Sequence, residues 1–267
     1  MHRIQRTFQT LKAQHRTALM PYLTMGFPSF ESTLTLVPRL VEAGADLIEL
    51  GVPFSDPLAD GATIQAASQR ALENGMTVRQ CLSQVTALRS QGIDAPLVLM
   101  GYLNPFLAFG LSEFAAAAAA AGVDGLIIPD LPPEEADEAQ AVFDAVGLDL
   151  IFLLAPSSSP ARIRMVTERS RSFIYLVSLM GVTGARGHLA PGLEAFVHRV
   201  RTATDKPLAV GFGISTPTQA AEVARLADGV IVGSALLQNI KAAPDAEEAA
   251  YAFIRALREG IDRVAGA

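Results

Sequence analysis

The sequence predicts an α/β protein: a single (β/α)8 TIM barrel with an additional N-terminal helix, occupying residues 1–267 as one domain. Three observations predict it. Eight short apolar runs stand in order along the chain, separated by segments of helical length. The runs are continuously apolar rather than alternating, which suits parallel strands covered on both faces. A length of 267 residues, half of them apolar, matches such a barrel of roughly 250 residues and supplies its core.

The elements follow in turn. The first sixteen residues hold Arg3, Arg6, Lys12 and Arg16 and no acid, a pattern shared with mitochondrial presequences. Ile4, Phe8 and Leu11 fall at helical spacing, so a short amphipathic helix packed on the domain is the preferred reading. The strands are expected at 19–24 (LMPYLT), 47–50 (LIEL), 97–100 (LVLM), 125–128 (GLII), 150–154 (LIFLL), 173–177 (FIYLV), 208–211 (LAVG) and 229–232 (GVIV). A signature recurs before several runs: Ala43-Gly44-Ala45-Asp46, Gln91-Gly92-Ile93-Asp94, Ala121-Gly122-Val123-Asp124, Val146-Gly147-Leu148-Asp149 and, in reduced form, Ala227-Asp228. It reads as a helix ended by a left-handed Gly, a tight turn, then a strand. The alanine run 115–121, preceded by Ser112-Glu113-Phe114 and followed by Gly122, reads as a capped helix of small residues. No linker is long enough to separate domains.

A formal net charge of −6 and the absence of a basic run disfavour nucleic acid or an anionic membrane as the main partner; a small molecule fits better. Cys81 is the only cysteine, so no internal disulfide forms, and its place in a helical segment makes it a core residue. No apolar stretch approaches the roughly 20 residues of a membrane span. A reducing, cytoplasmic setting is expected.

In a barrel of this kind the loops after the strands carry the chemistry. The first run is followed by Thr24-Met25-Gly26-Phe27, the second by a loop with Asp56 and Asp60, the third by Tyr102 and Asn104, and the fourth by Pro129-Asp130. After the sixth, seventh and eighth come Gly181-Val182-Thr183-Gly184, Gly211-Phe212-Gly213 and Gly233-Ser234. Glycines let backbone N–H groups approach an anion, and the last two loops of such barrels often hold a phosphate near a helix N-terminus. Phosphate binding at Gly213-Ile214-Ser215 and Gly233-Ser234-Ala235 is therefore expected.

Among the acids, Asp46, Asp94, Asp124, Asp149 and Asp228 precede strands and belong to the opposite, stabilising end, where they read as turn or capping residues. Glu49 differs, because it lies in an apolar strand. Burying an ionised carboxylate without partners is costly and raises its pKa, which suits it to exchanging protons near neutral pH. Asp56, in Ser55-Asp56-Pro57, admits an Asx-type turn as readily as a direct role, and Asp130 is similarly open.

Absences narrow the reaction. Lys12, Lys206 and Lys241 are the only lysines and none follows a strand, which disfavours a Schiff-base aldolase. His2, His15, His188 and His198 lack metal-ligand spacing, which disfavours a zinc aldolase. A Mg²⁺ site built from Glu49, Asp56 and Asp60 is a minor alternative. The residues thus ask for a phosphorylated substrate whose bond making or breaking runs on carboxylate acid/base chemistry, without metal or imine.

The segment ELGVPFSDPLADGATIQ from Glu49, GYLNP from Gly101, PDLP from Pro129, GVTGARG from Gly181 and GFGIS from Gly211 together resemble the tryptophan synthase alpha chain family, in order and over essentially the whole chain. The resemblance implies retro-aldol cleavage of indole-3-glycerol phosphate to indole and glyceraldehyde 3-phosphate. It also implies no cofactor in this chain and a beta chain that carries pyridoxal phosphate, in an αββα assembly. By the same resemblance Glu49 transfers protons and Asp60 takes the indole N–H. Tyr22, Tyr175, Thr183 and Phe212 contact the substrate, and Gly184, Gly213, Gly233 and Ser234 contact its phosphate. The loop 53–60 and the region 102–109 face the beta chain, with Pro53, Asp56, Pro57, Tyr102 and Asn104 at the interface, so Asp56 reports activation rather than chemistry. Family members often carry Phe where this chain has Tyr22, which leaves a hydroxyl in need of a partner. Two rivals stand beside this reading: a stand-alone lyase releasing free indole, and a phosphate-binding regulatory barrel without turnover.

Overall fold

Alternating helix-length segments and apolar runs become, in the computed structural model, a ring of parallel strands inside a layer of helices; residues 2–178, 192–211 and 213–265 are described. The strands are β1 (Ala18–Thr24), β2 (Ile48–Gly51), β3 (Leu97–Met100), β4 (Gly125–Ile127), β5 (Asp149–Ile151), β6 (Leu153–Leu154), β7 (Ile174–Val177), β8 (Leu208–Gly211) and β9 (Gly229–Val232). They pair in the order β5-β4-β3-β2-β1-β9-β8-β7-β6. Only Phe152 separates β5 from β6, and the former pairs with β4 while the latter pairs with β7. The expected run 150–154 is thus one strand whose ladder changes partner at a single residue, which closes the (β/α)8 TIM barrel.

The helices are α1 (Arg3–Ala13), α2 (Ser32–Glu42), α3 (Ala62–Glu73), α4 (Val78–Ser90), α5 (Leu103–Phe109), α6 (Leu111–Ala121), α7 (Asp137–Ala145), α8 (Pro160–Arg169), α9 (Leu193–Arg201), α10 (Pro217–Ala224), α11 (Ser234–Ala242) and α12 (Ala246–Ala265). The signature glycines Gly44, Gly92, Gly122 and Gly147 all have positive φ, as the helix-stop reading requires. At its start α6 departs from expectation: it begins at Leu111, is preceded by Gly110, and has no side-chain cap. Cys81 is buried in α4. Among the described residues no single helix is long and apolar enough to cross a membrane.

Period-two alternation along each strand sorts side chains between two cores. Leu19, Leu23, Leu50 and Leu99 join the layer beneath the helices. Met20, Val98, Ile127, Ile151, Ala209 and Ile231 fill the barrel interior together with Ile4, Phe8 and Leu11 of α1. The N-terminal helix is therefore a plug for the barrel floor, with Phe8 tilted against Phe173 at 5.5 Å between ring centroids.

The acids that precede strands do more than cap turns. The Asp46 carboxylate accepts the Leu19 N–H at 2.9 Å, Asp124 accepts the Leu97 N–H at 2.8 Å, and Asp228 accepts the Leu208 N–H at 2.8 Å. Each thus satisfies an N–H at or near the start of the neighbouring strand, and each is held by an arginine: Arg258, Arg89 and Arg201 respectively. With one end of the barrel closed by these bridges, the other is left to the loops.

Candidate active site

Glu49 sits within β2, one residue farther from the strand end than the run 47–50 places it, and pairs in register with Tyr22 of β1 and Val98 of β3. Its side chain is fully buried, and neither carboxylate oxygen has a hydrogen-bond partner among the described residues. Burial alone pushes its carboxyl up to about 8. Burial thus favours the protonated form near neutral pH, within the range suited to giving and recovering a proton.

Glu49 opens into a cavity of about 180 Å³ at the C-terminal mouth of the barrel, lined also by Tyr22, Asp60, Tyr175, Gly213, Gly233 and Ser234. These elements are far apart in sequence, and closure of the sheet brings them together. Tyr175 comes from β7 and is buried, with its hydroxyl fitted over Gly211, where a Cβ would stand 2.3 Å from the oxygen. Burial and the Glu49 charge both hold this phenol protonated.

Asp60 arrives from the loop between β2 and α3. Its backbone N–H donates to the Pro57 carbonyl at 3.0 Å, and the Gln65 amide donates to its own carbonyl at 2.9 Å. Burial pushes the Asp60 carboxyl up to about 6, opposed by a hydrogen bond from the Tyr102 hydroxyl. Tyr102 accepts the Ala59 N–H at 2.8 Å, and its ring lies 5.5 Å from that of Phe54. Tyr102 is thus the internal brace of the loop that carries Asp60.

At the opposite wall, Gly233 and Ser234 form the junction of β9 with the start of α11. The free N–H groups and positive dipole end of that helix face the mouth, an arrangement suited to an anion. Gly213, with φ +78°, turns the chain after β8 beside it. Thr183, Gly184 and Phe212 lie outside the described residues.

Of the remaining sequence candidates, Asp56 is exposed and shares a 2.5 Å hydrogen bond with the Ser55 hydroxyl, and it does not line the cavity. The described residues contain no group of three acids, histidines or cysteines placed to hold a metal, so the Mg²⁺ alternative from Glu49, Asp56 and Asp60 has no assembled ligand set. Asp130 accepts the Leu103 N–H at 3.0 Å and so anchors the start of α5. Pro53 and Tyr102 are buried within the chain, Pro57 is half-buried, and Asn104 is exposed. The cavity also takes Ile214, Ser215 and Ala235 of the expected phosphate loops, and Ile64, Met100, Ile231 and Gln238, which sequence reasoning did not single out as a pocket wall. Gln238 was findable, lying one helical turn after Ser234; Met100 and Ile231 read only as strand core.

A TIM barrel with a buried glutamate of raised pKa, a second carboxylate and a helix start suited to an anion in one cavity fits a class: an acid/base enzyme acting on a phosphorylated small molecule. Comparison with known proteins gives the family. A family model described as tryptophan synthase alpha chain matches residues 8–264. The chain is 55% identical over 266 residues to the tryptophan synthase alpha chain of Chloroflexus aggregans, covering 99% of this chain and 100% of that one. It is 52% identical over 264 residues to that of Geobacter sulfurreducens, covering 98% and 99%. The crystal structure of tryptophan synthase subunit alpha from Legionella pneumophila matches with a TM-score of 0.92 at 40% identity, covering 98% of this chain and 99% of that one. The aminoacrylate-bound tryptophan synthase of Mycobacterium tuberculosis matches at 0.88 and 39%, covering 98% and 100%. The chain belongs to the tryptophan synthase alpha chain family. Its function is the alpha reaction of tryptophan biosynthesis, the lyase cleavage of indole-3-glycerol phosphate to indole and glyceraldehyde 3-phosphate.

Proposed function

We propose that Glu49 carries the proton in both directions during this cleavage and that Asp60 holds the indole nitrogen. The observation that carries the reading is the fully buried Glu49 carboxyl, with no hydrogen-bond partner among the described residues, opening into the same cavity as Asp60. The neutral Glu49 carboxyl gives its proton to C3 of the indole ring. Positive charge then develops toward N1, where the Asp60 carboxylate, accepting the N–H, stabilises it. The Glu49 carboxylate so formed takes the proton of the glycerol C3′ hydroxyl as the bond between C3 and C3′ breaks. Its electron pair restores the indole ring, the aldehyde forms, and Glu49 regains its starting proton. No net proton is consumed. A carboxylic acid near pKa 8 is suited to both halves because neither transfer is steeply uphill at neutral pH.

The substrate is anchored at the far wall, with the phosphate at Gly213, Gly233 and Ser234, and by the family resemblance Gly184 joins the phosphate contacts and Thr183 the substrate contacts. Tyr22, Tyr175 and Phe212 flank the indole and glycerol. Fixing the phosphate holds the reacting bond at Glu49 rather than leaving it to chance encounter. No cofactor is assigned to this chain, and pyridoxal phosphate belongs to the beta partner. The setting is the cytoplasm.

The partner surface lies at the same mouth. Leu58 is 94% exposed and Leu107 53% exposed, on the loop after β2 and on α5. Large apolar side chains placed this way beside Asp56, Pro57 and Asn104 fit a covered surface. Pro53 and Tyr102 support it from beneath, and the bond from Ala59 to Tyr102 links it to Asp60. We assign this face to the beta chain, in an αββα assembly. Assaying indole release from indole-3-glycerol phosphate with and without a beta chain tests the reading. Weak release strongly raised by the partner is expected. Equal, fast release alone would make the chain a stand-alone lyase, and binding without cleavage in either condition would make it a regulatory barrel.

A further inference from the structure

The cavity holds a hydroxyl that the mechanism above does not use, that of Tyr22. Its ring enters from β1 and reaches over β2, where Gly51 makes the room: a Cβ there would stand 2.0 Å from the hydroxyl oxygen and 2.5 Å from the ring carbon bearing it. The side chain is 7% exposed, and the fully buried Thr24 donates to its oxygen at 3.3 Å. That bond occupies a lone pair of the Tyr22 oxygen and leaves its own proton to be donated elsewhere. Two carboxylates share the cavity with it, Glu49 and Asp60, and the charge of Asp60 acts on the Tyr22 hydroxyl more strongly than that of Glu49. The Tyr102 hydroxyl, which accepts the N–H of the adjacent Ala59, also favours the Asp60 anion.

We propose that Tyr22 is a positioning residue for Asp60: with substrate bound, its hydroxyl, oriented by Thr24, donates to the Asp60 carboxylate, which then has a phenol donor from both Tyr22 and Tyr102. The two donors fix the rotation of the carboxylate and leave its remaining lone pairs for the ring N–H of the substrate. They also favour its ionised form, the one able to accept that N–H. A phenylalanine at this position fills the same space but cannot do this. The proposal rests on the reading of Asp60 as the acceptor of the indole N–H.

Tyr22→Phe removes one oxygen and keeps the ring, so the fold is preserved. The test is the pH dependence of kcat/KM for indole-3-glycerol phosphate cleavage by the full chain with its beta chain. Loss of a donor to the charged form raises the Asp60 carboxyl, so the acid limb in Tyr22→Phe is expected to move up by about half a pH unit or more. Turnover at pH 6 is expected to fall about three- to tenfold, with the affinity for inorganic phosphate unchanged. Thr24→Val, which leaves Tyr22 unoriented, is expected to move the limb the same way by less. An unmoved limb in Tyr22→Phe, with or without a loss of kcat, overturns the proposal when Asp60→Asn is inactive. Near-normal turnover in Asp60→Asn overturns the underlying role of Asp60, and the proposal with it.

Discussion

Glu49 is costly to the fold, and the proposed reaction gives that cost a use. A fully buried carboxyl without a protein partner is disfavoured as an ion, and the same burial holds it protonated up to about pH 8. Asp60, less deeply buried and braced by Tyr102, ionises near 6. The two environments divide the labour between acid and anion. The sign of each limb follows. Below about pH 6 Asp60 takes a proton and can no longer accept the ring N–H; above about pH 8 Glu49 loses the proton it must deliver to C3. The pH profile of kcat/KM is therefore expected to be a bell between those limbs, and a profile flat from 5 to 9 would contradict the assignment. Glu49→Gln keeps the shape and abolishes proton exchange. Cleavage is expected to fall by a factor of about 10² or more, while a substrate analogue still binds, as isothermal titration can show.

At the scale of the elements, the two ends of the barrel do different work. Asp124 illustrates the stabilising end: its carboxylate accepts the Leu97 N–H and holds Arg89 and Arg3. Asp124→Ala leaves that N–H unpaired and takes the carboxylate from the largely buried Arg89, which keeps only its bonds to the Gly122, Ile93 and Ala95 carbonyls, at a cost of about 3 kcal/mol, enough to lower Tm by several degrees. Turnover per folded molecule is expected to stay near normal, because Asp124 lies away from the cavity; a stable variant with lost cleavage would contradict the separation. These bridges also mark where the sequence stops being readable. The eight runs and the stop glycines were legible because apolar continuity and the need for positive φ are local properties. Asp124 was legible as an acid before a strand, but the N–H it satisfies lies on the neighbouring strand, 27 residues away. Glu49 and Asp60 could be singled out as acids near a strand end, whereas Met100, Ile231 and Gln238 become cavity wall only when the ring closes. Likewise the contact of the Tyr22 hydroxyl depends on Gly51 of another strand, which composition does not reveal.

For the whole molecule, the plug helix α1 and the aspartate bridges close the floor, which leaves the mouth open as the face proposed for ligand and partner. Leu58 and Leu107 make it incomplete as a free surface. Leu107→Glu, at an exposed site on α5, is expected to weaken beta-chain association at least tenfold in a titration while leaving basal cleavage by the isolated chain unchanged. Unaltered association would move the interface elsewhere. The bond from the Ala59 N–H to Tyr102 links that surface to the loop carrying Asp60, so under the proposed interface partner binding is expected to act on that loop rather than on β2.

The protonation state of Glu49 in the free enzyme decides whether one residue can act first as acid and then as base. A ¹³C NMR titration of its side-chain carboxyl carbon, assigned by its loss in Glu49→Gln, measures it directly. The expected midpoint is about 8; a midpoint near the ordinary 4.5 would mean that Glu49 enters the reaction as a carboxylate and would contradict the account.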